Sequence, residues 1–225
     1  TVVQAGADLF GIRGASVSAE HISTSHEPLN LKKFIYELDV PVMVGGVAGY
    51  TQAKHLMRTG AAGVLVGFGG GSAMTTRKGL GISAPMATAI ADVAAARSDY
   101  LDESGGRYVH VIADGGLSRS GDLVKALALG ADAVMIGAPL ARASEAPGQG
   151  WYWGNEAHSV DFPRGVRTPL GVVGTLEEVL YGPSHHVDGT SNIVGALKRA
   201  MATCGYLDLK KFQKAEMTLV PEYRG

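Results

Sequence analysis

Residues 59–67 read Thr-Gly-Ala-Ala-Gly-Val-Leu-Val-Gly, and this stretch decides the fold. A helix-forming segment with apolar residues at helical spacing ends at Gly60, and a short apolar strand over 64–67 follows at once. The same unit of helix end, Gly-Ala and strand occurs again around 5–8 and 129–132. A repeated unit of this kind predicts a parallel sheet with helices packed against it.

The alternation of strands and helices continues along most of the chain. Strands are predicted at 8–12, 40–44, 64–67, 108–113 and 133–136. Helices are predicted at 29–38, 51–59, 85–97, 120–129 and 195–205, with Ser83 and Ser120 as N-caps of the third and fourth. This order fits either a (β/α)8 barrel or a doubly wound sheet. Because no Gly-x-Gly-x-x-Gly follows the first strand, the pattern favours the barrel.

Five units followed by a long tail predict the C-terminal portion of a barrel, about strands four to eight, as a single domain over residues 1–225. A complete barrel needs eight units and roughly 200 residues or more. The chain begins Thr-Val-Val-Gln without a methionine, and residues 4–8 have the pattern of a helix that is ending. We therefore expect an earlier part of the barrel to precede residue 1.

Composition excludes several classes of protein. The chain has 225 residues, of which 46% are hydrophobic and 18% charged, and its formal net charge is −1. Such a balance gives no basic surface for nucleic acid, and the apolar runs are too short and too interrupted by glycine for a membrane span. The single cysteine, Cys204, cannot form an internal disulfide and is typical of a reducing compartment. We expect a cytoplasmic protein without a nucleic acid or membrane partner.

A glycine-rich loop follows the strand at 64–67. It reads Gly67-Phe-Gly-Gly-Gly-Ser-Ala-Met-Thr-Thr76. Clustered glycines allow positive φ angles and let the backbone approach a ligand closely. The loop is therefore a candidate ligand site.

Two further strand ends carry candidate binding residues. The strand at 108–113 is followed by Asp114, Gly115 and Gly116, where the carboxylate suits a ribose diol and the glycine N–H groups suit a phosphate. The alternative is a simple turn in which Asp114 caps the next helix. The last strand is followed by Gly137 and Ala138, and barrel enzymes often bind phosphate at the loops after strands seven and eight. These glycines can equally be tight-turn residues, but together the loops favour phosphate.

Three segments resemble the IMP dehydrogenase/GMP reductase family. They are the glycine-rich loop, the run VPVMVGGVAGYTQAKHLMRTGAAGVLVG at 40–67, and the run IADGGLSRSGDLVKALALGADAVMIG at 112–137. Details at 97–116 and 145–154 resemble the bacterial IMP-dehydrogenase-related paralogues that lack the CBS module. The resemblance implies a TIM barrel, a purine nucleoside 5′-monophosphate as substrate, NAD or NADP as cofactor, and a homotetramer.

The resemblance also implies roles for individual residues. Ser72, Gly115, Gly116, Gly137 and Ala138 match phosphate contacts, and Asp114 matches the ribose-binding aspartate. Thr76 matches the threonine beside the catalytic nucleophile, while Tyr152 and Gly154 lie where family members contact the nucleotide. Gly67 and Gly69 match cofactor contacts, and the carbonyls of Gly69 and Gly71 match ligands of a monovalent cation such as K⁺.

Four positions depart from the family pattern. Met74 stands where the family has its catalytic cysteine, and a thioether has no ionisable proton for thiolate chemistry. Arg13 and Val47 are predicted cofactor contacts by the same resemblance, and they replace an aspartate and an asparagine of the family's nicotinamide pocket. Arg164 replaces the acceptor that reads the purine edge; because arginine only donates, an anionic purine such as xanthine would suit it.

Three functions follow from this mixture of retained and lost residues. The first is an IMP dehydrogenase-like or GMP reductase-like oxidoreductase with an altered mechanism. The second is a catalytically inactive nucleotide-binding paralogue with a regulatory role, and the third is another phosphate-binding barrel enzyme that uses flavin. Trp151 and Trp153 are read either as an anchor in a small core or as a stacking surface for the base. His185, His186 and Asp188 are read as a solvated loop in preference to a metal site.

Overall fold

The structure, a computed structural model, describes residues 3–14, 29–154, 167–218 and 220. The described strands are β1 (Phe10–Arg13), β2 (Val42–Val47), β3 (Gly63–Val66), β4 (His110–Asp114), β5 (Ala133–Met135), β6 (Trp151–Trp153) and β7 (Arg167–Pro169). The described α-helices are α1 (Leu31–Tyr36), α2 (Tyr50–Arg58), α3 (Met86–Glu103), α4 (Ser120–Ala128), α5 (Ala138–Ala141), α6 (Leu176–Tyr181), α7 (Ile193–Thr203) and α8 (Leu209–Phe212).

The first five strands form one parallel sheet in the order β1-β2-β3-β4-β5. Each strand pairs with the next one along the chain, and the register places Val44 opposite Val64 and Leu65 opposite Ile112. A doubly wound sheet reverses its strand order at a switch point, whereas a barrel adds strands sequentially. The α/β barrel prediction is therefore confirmed in its strand order.

The sheet is buried because its central strands are apolar on both faces. All four residues of β3 are buried, and in β4 only His110 is exposed. Helices α2 and α3 cover one face with Leu56, Met57 and Ile90, which are 2% exposed or less. Burial on both faces is the usual condition of parallel strands.

Several element boundaries differ from the predicted ones. Strand β2 continues to Val47 through two glycines, and α3 runs on to Glu103 because its apolar spacing persists. The predicted N-caps are wrong: Pro85 holds the N-cap position of α3, and Arg119 that of α4 without a side-chain hydrogen bond. Ser120 is instead a buried first residue of its helix.

Strands β6 and β7 form an antiparallel pair that is separate from the parallel sheet. Tyr152 lies opposite Thr168, and the Arg167 guanidinium lies 5.5 Å from the ring centroid of Trp153. None of the helices in the described part of the chain has the length and apolar character that a bilayer-spanning segment needs.

A buried carboxylate directly before β5 links the sheet to helices α3 and α8. The Asp132 side chain, 7% exposed, accepts hydrogen bonds from Lys210 Nζ at 2.6 Å, Tyr108 Oη at 2.6 Å and the Val111 N–H at 2.9 Å. Nη1 of Arg97 in α3 lies 2.7 Å from Oδ2, the oxygen that also accepts the Val111 hydrogen bond. Burial alone would raise the pKa of Asp132, but these donors hold it well below its usual range.

We expect Asp132→Asn to lower the free energy of unfolding by about 3 kcal/mol, because it leaves the buried Arg97 guanidinium without its counter-charge. Chemical denaturation at neutral pH measures this loss. Asp122→Asn is the matched control: its carboxylate pairs with Lys125 at the surface of α4, and its loss should cost less than about 0.5 kcal/mol.

The same pair of variants should differ in their response to acid. Because the folded-state pKa of Asp132 is lowered, its stabilisation is present above the ordinary carboxyl pKa of about 3.9 and is lost as pH falls through the lowered value. The gap between the parent protein and Asp132→Asn should therefore narrow below about pH 4. A constant gap would contradict the role given to this carboxylate.

Candidate nucleotide site

The carboxyl ends of the parallel strands open into a cavity of about 630 Å³. The carboxyl ends of parallel strands are where barrel enzymes place their binding residues. The cavity is lined by Arg13, Gly14, Gly67, Phe68, Gly69, Gly70, Gly71, Ser72, Met74, Thr76, Asp114, Gly115, Gly116, Leu117, Ser118, Met135, Ile136, Gly137, Ala138, Tyr152, Trp153 and Gly154.

Glycines bring the loop after β3 directly against the turn after β4. A Cβ atom on Gly70 would lie 3.0 Å from the carbonyl carbon of Gly115 and 3.0 Å from the nitrogen of Gly116. Gly67 has a φ of +109°, and a Cβ there would lie 2.5 Å from the Asp114 carbonyl oxygen. The wall of the cavity is therefore backbone, which leaves room for a ligand to approach peptide N–H groups.

Asp114 ends β4 and is 5% exposed. Its Oδ2 lies 3.0 Å from Nε of Arg13, the last residue of β1, whose side chain is half exposed. Burial raises the pKa of the Asp114 carboxyl, and the Arg13 charge and hydrogen bond offset part of that rise. Two residues predicted to contact different ligands, the ribose and the cofactor, are thus paired with each other.

Met74 lies inside the cavity and is half-buried. Its Sδ lies 3.2 Å from the position that a Cβ atom on Gly154 would take, and its Cγ lies 3.2 Å from that of Gly71. The thioether therefore lies between the glycine-rich loop and the strand pair. Where the side chain faces the cavity, it supplies apolar surface and a soft sulfur but no nucleophile.

The β6–β7 pair covers one side of the cavity. The Tyr152 hydroxyl lies 2.5 Å from the position of a Cβ on Gly137, so a larger residue there would require the tyrosine side chain to move. The Thr168 hydroxyl donates a hydrogen bond of 3.4 Å to the carbonyl oxygen of Ser72. These contacts join the loops after β3 and β5 through the strand pair.

The two loop residues Ser72 and Thr76 differ in exposure. Ser72 is exposed at the cavity, while Thr76 is 7% exposed and its side chain packs next to Gly69 at the start of a π-helical turn over Thr76–Leu80. The carbonyl oxygen of Gly71, a predicted cation ligand, accepts a 3.0 Å hydrogen bond from the Met74 N–H. Among the described residues, no group of three or more histidine, cysteine or acidic side chains could hold a metal ion.

Two predicted residues are not among the described residues that line the cavity. Val47 is completely buried in the core because β2 extends to it. Arg164 lies outside the described residues. Of the two predicted cofactor contacts at departing positions, Arg13 is paired with Asp114 and Val47 is buried, and their role toward a cofactor stays a prediction.

The cavity also includes residues that were given no role from sequence. Phe68 lies within the glycine-rich loop and Ser118 follows the Gly-Gly turn, so their positions beside binding glycines were the available signal. Met135 and Ile136 precede Gly137 and add apolar surface. Trp153 lines the cavity, as the stacking interpretation requires, whereas Trp151 is half exposed outside it.

Comparison with known proteins agrees with this geometry. The protein-family model of the IMP dehydrogenase / GMP reductase domain matches residues 1–168 of the chain. The chain belongs to the IMP dehydrogenase/GMP reductase family. This confirms the family predicted from the sequence.

Individual relatives give a finer picture. An uncharacterized oxidoreductase of Mycolicibacterium smegmatis is 57% identical over 97% of this chain. The crystal structure of an IMP dehydrogenase/GMP reductase-like protein from Corynebacterium glutamicum superposes with a TM-score of 0.86, at 57% identity over 96% of this chain. Inosine-5′-monophosphate dehydrogenase of Aquifex aeolicus is 31% identical over 95% of this chain.

These relatives are longer than the chain. It spans 59% of the Mycolicibacterium smegmatis protein, 56% of the Corynebacterium glutamicum chain and 44% of the Aquifex aeolicus enzyme.

We expect Gly70→Ala to weaken binding at the cavity, because its Cβ would push the loop away from Gly115 and Gly116. Overpacking of this kind costs about 1–3 kcal/mol. Titration with IMP measures how much of this cost appears as a higher Kd. Gly121→Ala is the control: a Cβ there meets nothing within 4 Å on helix α4, so stability should hold or rise. Equal IMP affinity in the two variants would contradict the backbone cradle.

Proposed function

We propose that this chain forms the substrate-binding part of an IMP dehydrogenase-like or GMP reductase-like oxidoreductase, and that its cavity binds a purine nucleoside 5′-monophosphate. The observation that carries the proposal is the buried Asp114 carboxylate beside a wall of glycine backbone in one cavity. Family membership supports the class of reaction, while the nucleotide follows from the chemistry of the lining residues.

The 5′-phosphate is assigned to the glycine turns. Gly115, Gly116 and Gly137 present main-chain atoms at the cavity wall, and α5 begins at Ala138, directly after the last of them. Backbone N–H groups in such turns bind anions well because no side chain separates them from the ligand. Ser72 adds an exposed hydroxyl from the opposite loop.

The sugar and the base are assigned to the remaining lining. The Asp114 carboxylate accepts hydrogen bonds from ribose hydroxyls, which is the usual pairing of an acidic residue with a diol. Met74, Ile136 and Trp153 give apolar and aromatic surface for a flat purine ring. Tyr152 closes this side of the cavity.

The reaction step differs from one that uses a cysteine adduct. Met74 cannot form a covalent bond to the purine through an ionised sulfur, so a reaction in this cavity proceeds without that intermediate. NAD or NADP supplies hydride chemistry in the family, and its use by this chain is a family-based proposal, as are K⁺ binding and assembly into a homotetramer.

A second function, a catalytically inactive nucleotide-binding paralogue, is favoured by one specific observation. Met74, which the family resemblance aligns with the catalytic cysteine, lines the cavity with a thioether that has no ionisable proton. A protein of this kind would bind the nucleotide and report its concentration without turnover.

Calorimetric titration with IMP, XMP and GMP, combined with NAD and NADPH turnover in the same samples, separates these functions. Binding with turnover supports the oxidoreductase, and Met74→Cys then tests whether a thiol increases the rate. Binding without turnover supports the inactive paralogue. The absence of binding to all three nucleotides would disprove the purine-nucleotide proposal.

We expect Asp114→Ala to weaken nucleotide binding by roughly 1.5–3 kcal/mol, the contribution of hydrogen bonds to a charged group. The measurement is the change in Kd for IMP at neutral pH. Asp122→Ala removes a carboxylate from the outer surface of α4 and should leave the Kd unchanged. An unchanged Kd in Asp114→Ala would place the nucleotide elsewhere.

A further inference from the structure

The Arg13–Asp114 ion pair joins two strands that are not neighbours. Strands β2 and β3 lie between β1 and β4 in the sheet. Adjacent strands are about 4.8 Å apart, so the two strand ends would be about 14 Å apart in a flat sheet. The 3.0 Å contact therefore needs both the curvature of the sheet and the full reach of the arginine. The pair crosses the carboxyl end of the sheet, inside the cavity.

Asp114 has no other charge nearby in the described lining. Arg13 and Asp114 are the two charged side chains among the described residues around the cavity, and Tyr152 is the one further titratable group there. The other facing residues come from the loop after β3 and from the β5 end, and they are glycine, hydroxyl or apolar side chains. Compensation of the buried carboxylate thus depends on Arg13.

The Asp114 carboxylate lies at the cavity wall and is held there by Arg13. Its Oδ2 lies 3.0 Å from Nε of Arg13. A guanidinium donates along directions set by its plane, whereas a lysine ammonium is a compact charge with freely rotating donors. The contact therefore gives the carboxylate a defined direction at the cavity wall, where ligand hydroxyls can reach it.

We propose that Arg13 is a positioning residue of the nucleotide site, which keeps the Asp114 carboxylate charged and oriented as an acceptor for the ribose hydroxyls. This inference rests on the proposed nucleotide binding. It gives Arg13 a role on the substrate side of the cavity, in place of the cofactor contact predicted from the sequence.

The electrostatics of the pair support this role. Burial raises the pKa of Asp114, and the Arg13 charge lowers it again. Removing the arginine leaves burial alone, so the carboxyl becomes protonated at a higher pH. A protonated carboxyl loses acceptor capacity, and nucleotide binding through Asp114 is then retained only on the alkaline side of the raised pKa.

The test compares Arg13→Gln with the conservative Arg13→Lys in the purified protein, using IMP as the probe. The Kd is measured by calorimetry from about pH 5 to pH 8. We expect the acid limb of the binding profile to move to higher pH in Arg13→Gln, with affinity reduced about tenfold near pH 6. Arg13→Lys keeps the positive charge and should restore most of the affinity. The ionisation of the IMP phosphate is common to all variants and cancels in the comparison.

Asp114→Asn provides the matched background, because its amide cannot ionise. In that background, Arg13→Gln should change the Kd little and should shift no acid limb. Thermal unfolding of each variant checks the fold, which a substitution at the half-exposed Arg13 should preserve.

Each outcome has one meaning. If the parent protein binds no IMP, the nucleotide proposal fails before Arg13 is tested. If the parent protein binds IMP and Arg13→Gln has an unchanged pH profile, the positioning role is overturned. A loss of affinity that is equal at every pH and persists in Asp114→Asn would also overturn it, since Arg13 would then contact the ligand directly.

Discussion

The whole site depends on close backbone packing around the carboxyl ends of β2, β3 and β4, where several glycine positions leave no room for a Cβ atom. A Cβ on Gly45 would clash with Leu65 of the next strand, and one on Gly67 would lie 2.5 Å from the carbonyl oxygen of Asp114. Gly70 continues this contact into the loops. Because these positions are glycine, the strand ends can converge, and the cavity between them is walled by peptide groups able to face a ligand.

The buried carboxylates of Asp114 and Asp132 lie at opposite ends of the sheet, and their pKa values are shifted in opposite directions. Asp132 is held by Lys210, Tyr108 and the Val111 N–H, which keep its pKa low despite burial and make it part of the scaffold. Among the described residues Asp114 has one cationic partner, Arg13, and its pKa is raised by burial. A buried acid that is incompletely compensated in a cavity is typical of a binding or catalytic site, whereas a saturated one is typical of structure.

The family relationship and the chemistry of the cavity bear on different parts of the function: the first on the class of protein, the second on the ligand. The 57% identity to an uncharacterized oxidoreductase and the 31% identity to an inosine-5′-monophosphate dehydrogenase agree with a member of the IMP dehydrogenase/GMP reductase family. The proposed purine nucleotide rests on the glycine turns and the Asp114 carboxylate of the cavity. The Met74 side chain fills space in the cavity and offers no ionisable group for a reaction.

The sequence by itself determined the α/β alternation, the family and most of the cavity wall, because helix ends, short apolar strands and glycine-rich turns are local patterns. The tertiary structure alone decided the burial of Val47, the antiparallel pairing of β6 with β7, and the ion pair between Arg13 and Asp114. These features depend on strand register and sheet curvature, which bring together residues far apart in the chain. A local pattern can place a residue at a strand end, but only packing decides which side chain it meets there.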